Sequence, residues 1–272
     1  MNKPFLILSH HRSGSNFMCN LLCENSKIEC LNEPLSMHTD FFKKNDLIIW
    51  KKDEFNKEYL HQSLKQDKLL IDFLKELKEL INSDNKIMGF KETLLFEKLD
   101  WLKEFIPNLN IVFIVRDPRA IINSALRKNM WKNMWGYNLT VKRHIEKYYD
   151  KPIECDYNNP IHLITWSIKI RYDCFIKYKD LFNYKIVRLE DIVNDPFNNM
   201  AEVMSFLGTE ITKEQCELLN KVYSNDEKRG SDFSYYTTKE RVLSDWKGKI
   251  EGNDQKYVEK VLHREMEKFR YL

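Results

Sequence analysis

The 272-residue sequence lacks several features that would place it in a membrane or outside the cell. No stretch approaches the roughly 18 consecutive apolar residues of a membrane-spanning helix. The first residues show neither the charged region nor the apolar run of a secretory signal. The six cysteines include no C-x-x-C pair, and a reducing compartment would leave them as thiols. We therefore expect a cytoplasmic protein without stable membrane insertion.

A large excess of charge of one sign is also missing. The net charge of +3 is small for this length, so nucleic acid is not an expected partner, although local basic sites can still bind phosphates. With 43% hydrophobic residues, the chain can bury a sizeable core. No internal repeat or low-complexity linker interrupts it. We therefore expect a single domain over residues 1–272.

Glycine is scarce, with seven in the chain. A P-loop kinase or ATPase needs the pattern G-x-x-x-x-G-K-[ST], with a lysine directly before its hydroxyl residue. The turn that follows the first apolar run has a single glycine, Gly14, and Arg12 is its cation. The pattern therefore argues against an ordinary ATP or GTP site, and a kinase on a P-loop-like fold remains a second hypothesis.

The first apolar run, Phe5–Leu8, leads into a small-residue turn and then a helix. The turn from His11 to Ser15 brings a cation, a glycine and hydroxyls to the start of that helix, where unpaired backbone N–H groups point outward. Gly14 lets the backbone close around an anion, and the helix dipole adds a partial positive charge. The segment predicts a phosphate-binding loop. The alternative is a helix start without a ligand.

Further apolar runs alternate with helical stretches, which is typical of an α/β fold with a parallel sheet. We predict strands at Ile87–Phe90, Ile111–Val115 and Tyr184–Val187, helices at Glu58–Asn82, Phe96–Phe105, Ala120–Lys128 and Pro196–Leu207, and a loop at Leu31–His38. The predicted architecture is a P-loop-like three-layer sandwich, a central parallel β-sheet flanked by helices. Ligands of such sheets bind at the carboxyl ends of the strands, where Lys91, Arg116 and Arg188 would lie.

A second anion site is predicted where the strand Ile111–Val115 ends. Arg116 follows this strand, and Asp117 can cap the next helix with Pro118 at its first position. Arg116 and Ser124 could contact one phosphate, the guanidinium group through two hydrogen bonds. Two anion sites on one sheet suit a nucleotide that is phosphorylated at both ends. The alternative is a surface ion pair between Arg116 and Asp117, with Ser124 as an ordinary helix residue.

Together these motifs make the chain resemble the sulfotransferases that use 3′-phosphoadenosine 5′-phosphosulfate (PAPS), most closely the carbohydrate sulfotransferases. Arg12–Phe17 is similar to the family's 5′-phosphosulfate loop, and Arg116 with Ser124 is similar to its 3′-phosphate motif. Further similar segments are Asn32–Pro34 followed by His38, Gly89–Lys91, Val187–Asp191 followed by Asp195–Pro196, Phe206–Gly208, and Lys239–Lys247. The membrane anchor of animal secretory members is missing here, so the chain is more like a soluble bacterial or viral version.

The resemblance implies a PAPS co-substrate, 3′-phosphoadenosine 5′-phosphate (PAP) as a product, no metal requirement, and an acceptor hydroxyl on a carbohydrate or other small molecule. Arg12 would neutralise charge on the leaving oxygens, and Arg116 with Ser124 would hold the 3′-phosphate. The residues expected to hold the 5′ end are Ser13, Gly14, Ser15, Asn16 and Phe17. Arg229, Gly230 and Arg241 are candidate 3′-phosphate contacts, and Trp246 is placed at the nucleotide end.

The acceptor hydroxyl needs a general base. Glu33 is the first choice, because the resemblance places a glutamate of this loop opposite the sulfuryl group. His38 and Glu92 are reserves, and Lys91 could stabilise the transferring group. For each of these residues, a purely structural or solvent-facing role is the alternative. Cys19 and Cys23, one helical turn apart, could bind a metal with His38, but we expect buried packing.

Residues 127–160 carry several aromatic side chains among lysines and asparagines, and we predict a helical lid there. Its aromatic residues are Trp131, Trp135, Tyr137, Tyr148, Tyr149 and Tyr157. The alternative is a helical segment that packs its aromatic rings inward. A nucleotide-binding protein without turnover is a third hypothesis for the chain. The acceptor, the choice between O- and N-sulfation, and the oligomeric state are not determined by the sequence.

Overall fold

A five-stranded parallel sheet forms the centre of the molecule. The computed structural model of the chain describes residues 3–34, 79, 85–129, 135–224 and 239–272. Its strands are β1 (Phe5–Ser9), β2 (Ile28–Asn32), β3 (Ile87–Glu92), β4 (Asn110–Val115) and β5 (Asn183–Arg188), in the order β2-β3-β1-β4-β5. Every neighbouring pair is parallel. The predicted α/β class with a central parallel sheet is confirmed.

Helices connect the strands and cover both faces of the sheet. In the described ranges they are α1 (Ser15–Cys23), α2 (Leu99–Phe105), α3 (Pro118–Arg127), α4 (Trp135–Tyr148), α5 (Pro160–Tyr178), α6 (Leu189–Asn194), α7 (Pro196–Phe206), α8 (Lys213–Ser224), α9 (Lys239–Leu243), α10 (Gly252–Val261) and α11 (His263–Lys268). Short 3₁₀ turns lie at Phe96–Lys98 and Lys179–Leu181. No helix of the described residues is long and apolar enough to cross a membrane.

Side chains alternate between the two faces of the sheet, and each face has its own hydrophobic core. In β1, Phe5 and Ile7 point to one face and pack with α1, α6, α7 and α8. Leu6 and Leu8 point to the other face and pack with α2, α3, α4, α5, α10 and α11. Since successive strand residues face opposite ways, a strand that is apolar throughout requires helices on both sides. The result is the predicted three-layer sandwich.

The absence of a side chain at Gly89 allows β3 to pack beside Phe5 of β1. It lies opposite Phe5 in the strand register, and a Cβ atom at residue 89 would lie 2.2 Å from Cζ of the Phe5 ring. The ring therefore occupies the space that a side chain at this position would need. These two strands carry the phosphate loop and Lys91 at their carboxyl ends, so their packing also sets the spacing of the site.

Strand β2 and helix α5 are the differences from the sequence prediction that bear on the site. Leu31 and Asn32 belong to β2 rather than to a loop, because they pair with Phe90 and Lys91 in β3. The loop begins at Glu33, and its predicted remainder and nearly all of the predicted helix Glu58–Asn82 lie outside the described residues. Helix α5 was not predicted, although it is the longest helix of the described part of the chain.

Replacing Gly89 by alanine should destabilise the protein. The added methyl group must displace the Phe5 ring, and overpacking of this kind costs about 1–3 kcal/mol. Urea denaturation of Gly89→Ala measures this loss, and a second substitution, Phe5→Leu, should recover part of it. A Gly89→Ala variant whose free energy of unfolding lies within ~0.5 kcal/mol of wild type would contradict the packing described here.

Candidate active site

One cleft lies at the carboxyl ends of the central strands and collects most of the predicted residues. It has a volume of about 150 Å³. Its lining consists of His11, Arg12, Gly14, Ser15, Asn16, Phe17, Glu33, Lys91, Thr93, Arg116, Ser124, Arg127, Leu189, Val222, Arg241 and Val242. The predicted phosphate loop, the second anion motif, the Glu33 loop and the C-terminal segment therefore meet at one place.

The loop between β1 and α1 has the backbone shape of an anion cradle. Arg12 has φ 68° and Gly14 has φ 90°, both in the left-handed region. Left-handed residues on either side of Ser13 turn neighbouring N–H groups toward one side, and α1 begins directly afterwards with its own unpaired N–H groups. The φ of 90° favours glycine at position 14, and a Cβ atom there would also lie 2.8 Å from Cδ1 of Leu189 and displace that side chain.

Ser13 itself lies behind the cleft surface. Its side chain is fully buried, and Oγ has no hydrogen-bond partner within the described ranges. Its backbone N–H donates to the carbonyl oxygen of His10 at 3.3 Å, which closes the turn. Ser15, Asn16 and Phe17, in contrast, line the cleft as predicted.

Arg116 connects three parts of the chain. Its Nη1 donates to the carbonyl oxygen of Arg12 and its Nη2 to that of Arg241, each at 3.0 Å. Each terminal nitrogen has a second N–H, so the two-bonded phosphate contact stays a prediction. The buried Nε has no hydrogen-bond partner in the described part of the chain and is a further donor for an anion.

The two predicted anion motifs are joined by a direct contact. Nε of Arg12 donates to Oγ of Ser124 at 3.1 Å, so the serine that was predicted to partner Arg116 contacts the phosphate-loop arginine instead. Asp117 caps α3 as predicted, accepting from the N–H of Arg119, and its ion pair is with Arg119 rather than with Arg116. The surface-pair alternative for Arg116 is therefore wrong.

The cleft concentrates positive charge. Arg12, Arg116, Arg127 and Arg241 all line it. Burial lowers the pKa of Arg12, and the positive charge of Arg127 lowers it further. Burial also lowers the pKa of Arg116, an effect that the carboxylate of Glu190 opposes. Because buried like charges repel one another, a bound polyanion would stabilise this arrangement.

Glu33 and Lys91 form an ion pair on another wall of the cleft. Nζ of Lys91 donates to Oε1 of Glu33 at 2.6 Å, and Oγ1 of Thr93 donates to the same oxygen at 3.4 Å. The backbone N–H of Glu33 also donates to the carbonyl oxygen of Lys91 at 2.9 Å, extending the β2–β3 pairing by one residue. Lys91 is 2% exposed, and a lysine this buried needs a carboxylate partner.

The remaining predicted residues have different positions. Glu92 is fully buried and is not part of the cleft lining. Trp246 is nearly buried and lies outside the lining, with the Arg119 guanidinium 4.1 Å from the centre of its ring. Its predicted nucleotide contact therefore gains no support from this geometry. His38, Arg229 and Gly230 lie outside the described residues.

The C-terminal segment is fastened to α3. Nδ2 of Asn123 donates to both the carbonyl and a carboxylate oxygen of Asp245, and Arg127 forms an ion pair with that carboxylate at 2.6 Å. These contacts, with the Arg116 bond to the Arg241 carbonyl, bring Arg241 and Val242 to the cleft.

Glu190 supports the second motif from behind. Its Oε1 accepts from the N–H of Asp117 and its Oε2 from the hydroxyl of Tyr271, both at 2.8 Å. Burial raises the pKa of the Glu190 carboxyl. Sequence reasoning gave no role to Glu190, Thr93 or Arg127. Glu190 lies within the similar segment Val187–Asp191, whereas the positions of Thr93 and Arg127 in the sequence carry no signal, because they meet the site through tertiary packing.

The predicted lid is described in part. Val141 and Ile145 of α4 are buried in the core, Tyr149 packs edge-on against Trp166, and Tyr157 is partly buried against the same core. These contacts favour inward packing for the two tyrosines. Trp131 lies outside the described residues, and the lid itself remains a prediction.

Cys19 is buried as expected, whereas Cys23, at the exposed end of α1, is not, so the expected buried packing is wrong for Cys23. The thiols of Cys19 and Cys23 donate to the carbonyl oxygen of Cys30 at 3.6 and 3.8 Å. Within the described ranges, no group of three or more His, Cys, Asp or Glu side chains is arranged to hold a metal ion.

Comparison with known proteins agrees with this architecture. The model of the sulfotransferase family matches residues 4–213. No curated protein sequence matches the chain. The sulfotransferase domain of the Synechococcus PCC 7002 olefin synthase is 14% identical, with 97% of this chain and 95% of that chain covered and a TM-score of 0.57.

Two further solved structures have a similar fold. A sulfotransferase from Mycobacterium avium is 12% identical, covering 98% of this chain and 76% of its own, with a TM-score of 0.57. A mouse sulfotransferase complexed with PAP is 11% identical, covering 97% of this chain and 85% of its own, with a TM-score of 0.54. At these identities the likeness concerns the fold.

Inorganic pyrophosphate should raise the melting temperature of the protein. It would relieve repulsion among the guanidinium groups, and a ligand that binds only the folded state stabilises it. Arg12→Gln should lose most of this shift, measured by differential scanning fluorimetry against chloride of equal ionic strength. Arg264→Gln is the control, because Arg264 is 66% exposed and pairs with Asp173 outside the cleft. An equal loss in both variants, or no shift in wild type, would contradict an anion site in the cleft.

Proposed function

The chain belongs to the sulfotransferase family, and we propose that it transfers the sulfuryl group of PAPS to a hydroxyl group of a carbohydrate or a glycosylated small molecule. The observation that carries this proposal is the meeting of three parts in one cleft. These parts are the loop at Gly14, the Arg116 and Ser124 motif, and the Glu33–Lys91 ion pair. The reaction requires two anion-binding positions for the donor and a carboxylate near the donor's sulfuryl group.

In this proposal the donor is held at both ends. The segment from Arg12 to Phe17 binds the 5′-phosphosulfate through backbone N–H groups, the Ser15 hydroxyl and the Arg12 guanidinium, with the Ser13 side chain behind the cleft surface. Ser124 and Nε of Arg116 bind the 3′-phosphate, together with Arg241. The mouse relative, whose structure contains PAP, supports the choice of donor. No metal is assigned a role, because guanidinium groups already supply the positive charge.

Glu33 acts as the general base. It takes the proton of the acceptor hydroxyl while the acceptor oxygen forms a bond to sulfur and the bond between sulfur and the bridging oxygen of the donor breaks. Arg12 neutralises the charge that grows on the leaving phosphate. Lys91 orients the Glu33 carboxylate through the 2.6 Å ion pair and supplies positive charge on the same wall of the cleft to stabilise the transferring group.

The carbohydrate acceptor rests on the resemblance of the Asn32-Glu33-Pro34 segment and is tested directly. The purified protein is incubated with ³⁵S-labelled PAPS and a panel of mono- and oligosaccharides, aromatic glycosides and phenols, with EDTA present. We expect label transfer to sugar hydroxyls that EDTA does not reduce. Transfer to phenols alone would overturn the carbohydrate acceptor, and phosphoryl transfer from ATP that requires Mg²⁺ would identify a kinase instead.

Glu33→Gln should separate catalysis from binding. Loss of a general base lowers the rate by about 10²- to 10⁴-fold, whereas the affinity for PAP should change little because Glu33 does not contact the nucleotide in this proposal. The rate is measured with the best acceptor of the panel, and the affinity by calorimetry.

Glu29→Gln is the matched control. Glu29 lies on β2, the strand that leads into the Glu33 loop, is half exposed and pairs with Lys86, so the rate of Glu29→Gln should equal that of wild type. A Glu33→Gln enzyme with an undiminished rate would exclude Glu33 as the base. PAP binding without turnover of any acceptor by the wild-type protein would favour a binding protein over an enzyme.

A further inference from the structure

A buried histidine lies directly behind the phosphate loop and has no role in the proposed reaction. His10 follows β1 and is 2% exposed. Its Nδ1 lies 2.8 Å from the carbonyl oxygen of His11, and its Nε2 lies 3.1 Å from Oγ of Ser167 in α5. Nη1 of Arg171, one turn further along α5, donates to the same Oγ at 2.7 Å. A chain of polar contacts thus runs from a buried cation to the backbone of the loop.

The direction of these hydrogen bonds follows from chemistry. A carbonyl oxygen only accepts, so Nδ1 of His10 carries the proton and donates to His11. Burial, and secondly the positive charge of Arg171, lowers the pKa of His10, so the ring is neutral and Nε2 accepts. The hydroxyl of Ser167 therefore donates to His10 while it accepts from Arg171. All three bonds point the same way, and aligned bonds in a buried site polarise one another.

The last bond of this chain acts on a strained peptide. The carbonyl of His11 belongs to the same peptide group as the N–H of Arg12, and Arg12 has φ 68°, which is unfavourable for a residue with a side chain. Such a conformation persists only when its surroundings fix it. A hydrogen bond to the His11 carbonyl fixes the orientation of this peptide group and increases the partial positive charge on the Arg12 N–H.

We propose that His10, Ser167 and Arg171 form a loop relay that holds the His11–Arg12 peptide in its anion-binding orientation, with His10 as a positioning residue for the 5′ end of the donor. The inference rests on the proposed function, since it concerns the loop that would hold the 5′-phosphosulfate. Helix α5 supports the second motif as well, because the hydroxyl of Tyr172 donates to the carbonyl oxygen of Arg116 at 3.4 Å. One helix behind the sheet thereby supports both anion motifs.

Two isosteric substitutions separate this role from simple packing. In His10→Asn the amide nitrogen lies near the position of Nδ1 and can still donate to the His11 carbonyl, without reaching Ser167. In His10→Gln the amide lies near the position of Nε2, so the contact with Ser167 is kept and the bond to the loop is lost. Both variants remove the ring and should lower the melting temperature alike.

The readout is the dissociation constant of adenosine 3′-phosphate divided by that of PAP, both measured by calorimetry. This ratio reports what the 5′-phosphate contributes to binding. We expect His10→Gln to reduce this ratio by about tenfold, the order of one hydrogen bond to a charged group. His10→Asn keeps the bond to the loop but loses the contact with Ser167, so it should reduce the ratio by only about threefold. Ser167→Ala loses the same contact and removes little volume. It should also reduce the ratio by about threefold, and it provides a second test if His10→Gln does not fold.

Thr165→Val is the control on the same helix. The Thr165 hydroxyl donates to the Ile161 carbonyl and takes no part in the relay, so this substitution should leave the ratio unchanged. Equal ratios in the Gln and Asn variants, or a wild-type ratio in both His10→Gln and Ser167→Ala, would overturn the relay. If wild type itself does not bind PAP more tightly than adenosine 3′-phosphate, the proposed function fails and the relay fails with it.

Discussion

The hydrogen bonds of the buried Arg116 guanidinium group hold the site together. Its two hydrogen bonds to the carbonyl oxygens of Arg12 and Arg241 join segments that lie 104 and 125 residues away in the sequence. A guanidinium group this buried is unfavourable without partners, so the phosphate loop and the C-terminal segment are both required to stabilise it. In return it fixes the distance between them. The cleft is therefore a consequence of satisfying one buried charge.

The parallel sheet makes this arrangement possible. Because β1, β3 and β4 run in the same direction, the loop at Gly14, the lysine at 91 and the arginine at 116 leave the sheet at one edge. Helices on both faces then supply support from behind. Glu190 accepts from the Asp117 peptide. Helix α5 contacts the Arg116 peptide directly through Tyr172, and the His11 peptide indirectly, through the contact of Ser167 with His10. The site residues are consequently placed by rigid elements rather than by their own loops.

Local patterns in the sequence predicted much of this fold. Four of the five strands follow from apolar runs, and the Asp117-Pro118 helix start follows from capping chemistry. Strand β2 was missed because it is short and only Ile28 and Cys30 are buried. Helix α5 was missed for the opposite reason. Its residues from Leu163 to Ile168 are buried in succession, so it lacks the apolar stripe by which an amphipathic helix is detected.

The sequence predicted which residues form the site but not which of their side chains contact one another. The sequence indicated that Arg12, Glu33, Lys91, Arg116 and Ser124 belong together, because strand ends of a parallel sheet converge. It did not indicate that Arg12 contacts Ser124, or that Lys91 pairs with Glu33, since those contacts join positions 112 and 58 residues apart. Pairings of this kind depend on side-chain packing between elements, for which spacing along one chain gives no signal.

We infer that the joined anion motifs form one site for a nucleotide phosphorylated at both its 3′ and 5′ positions. Calorimetric titration of the wild-type protein with PAP, adenosine 5′-phosphate and ATP with Mg²⁺ tests it most directly. We expect PAP to bind more tightly than either of the other two, by at least about tenfold, which is about 1.4 kcal/mol. Binding of ATP with Mg²⁺ that equals or exceeds that of PAP would contradict it.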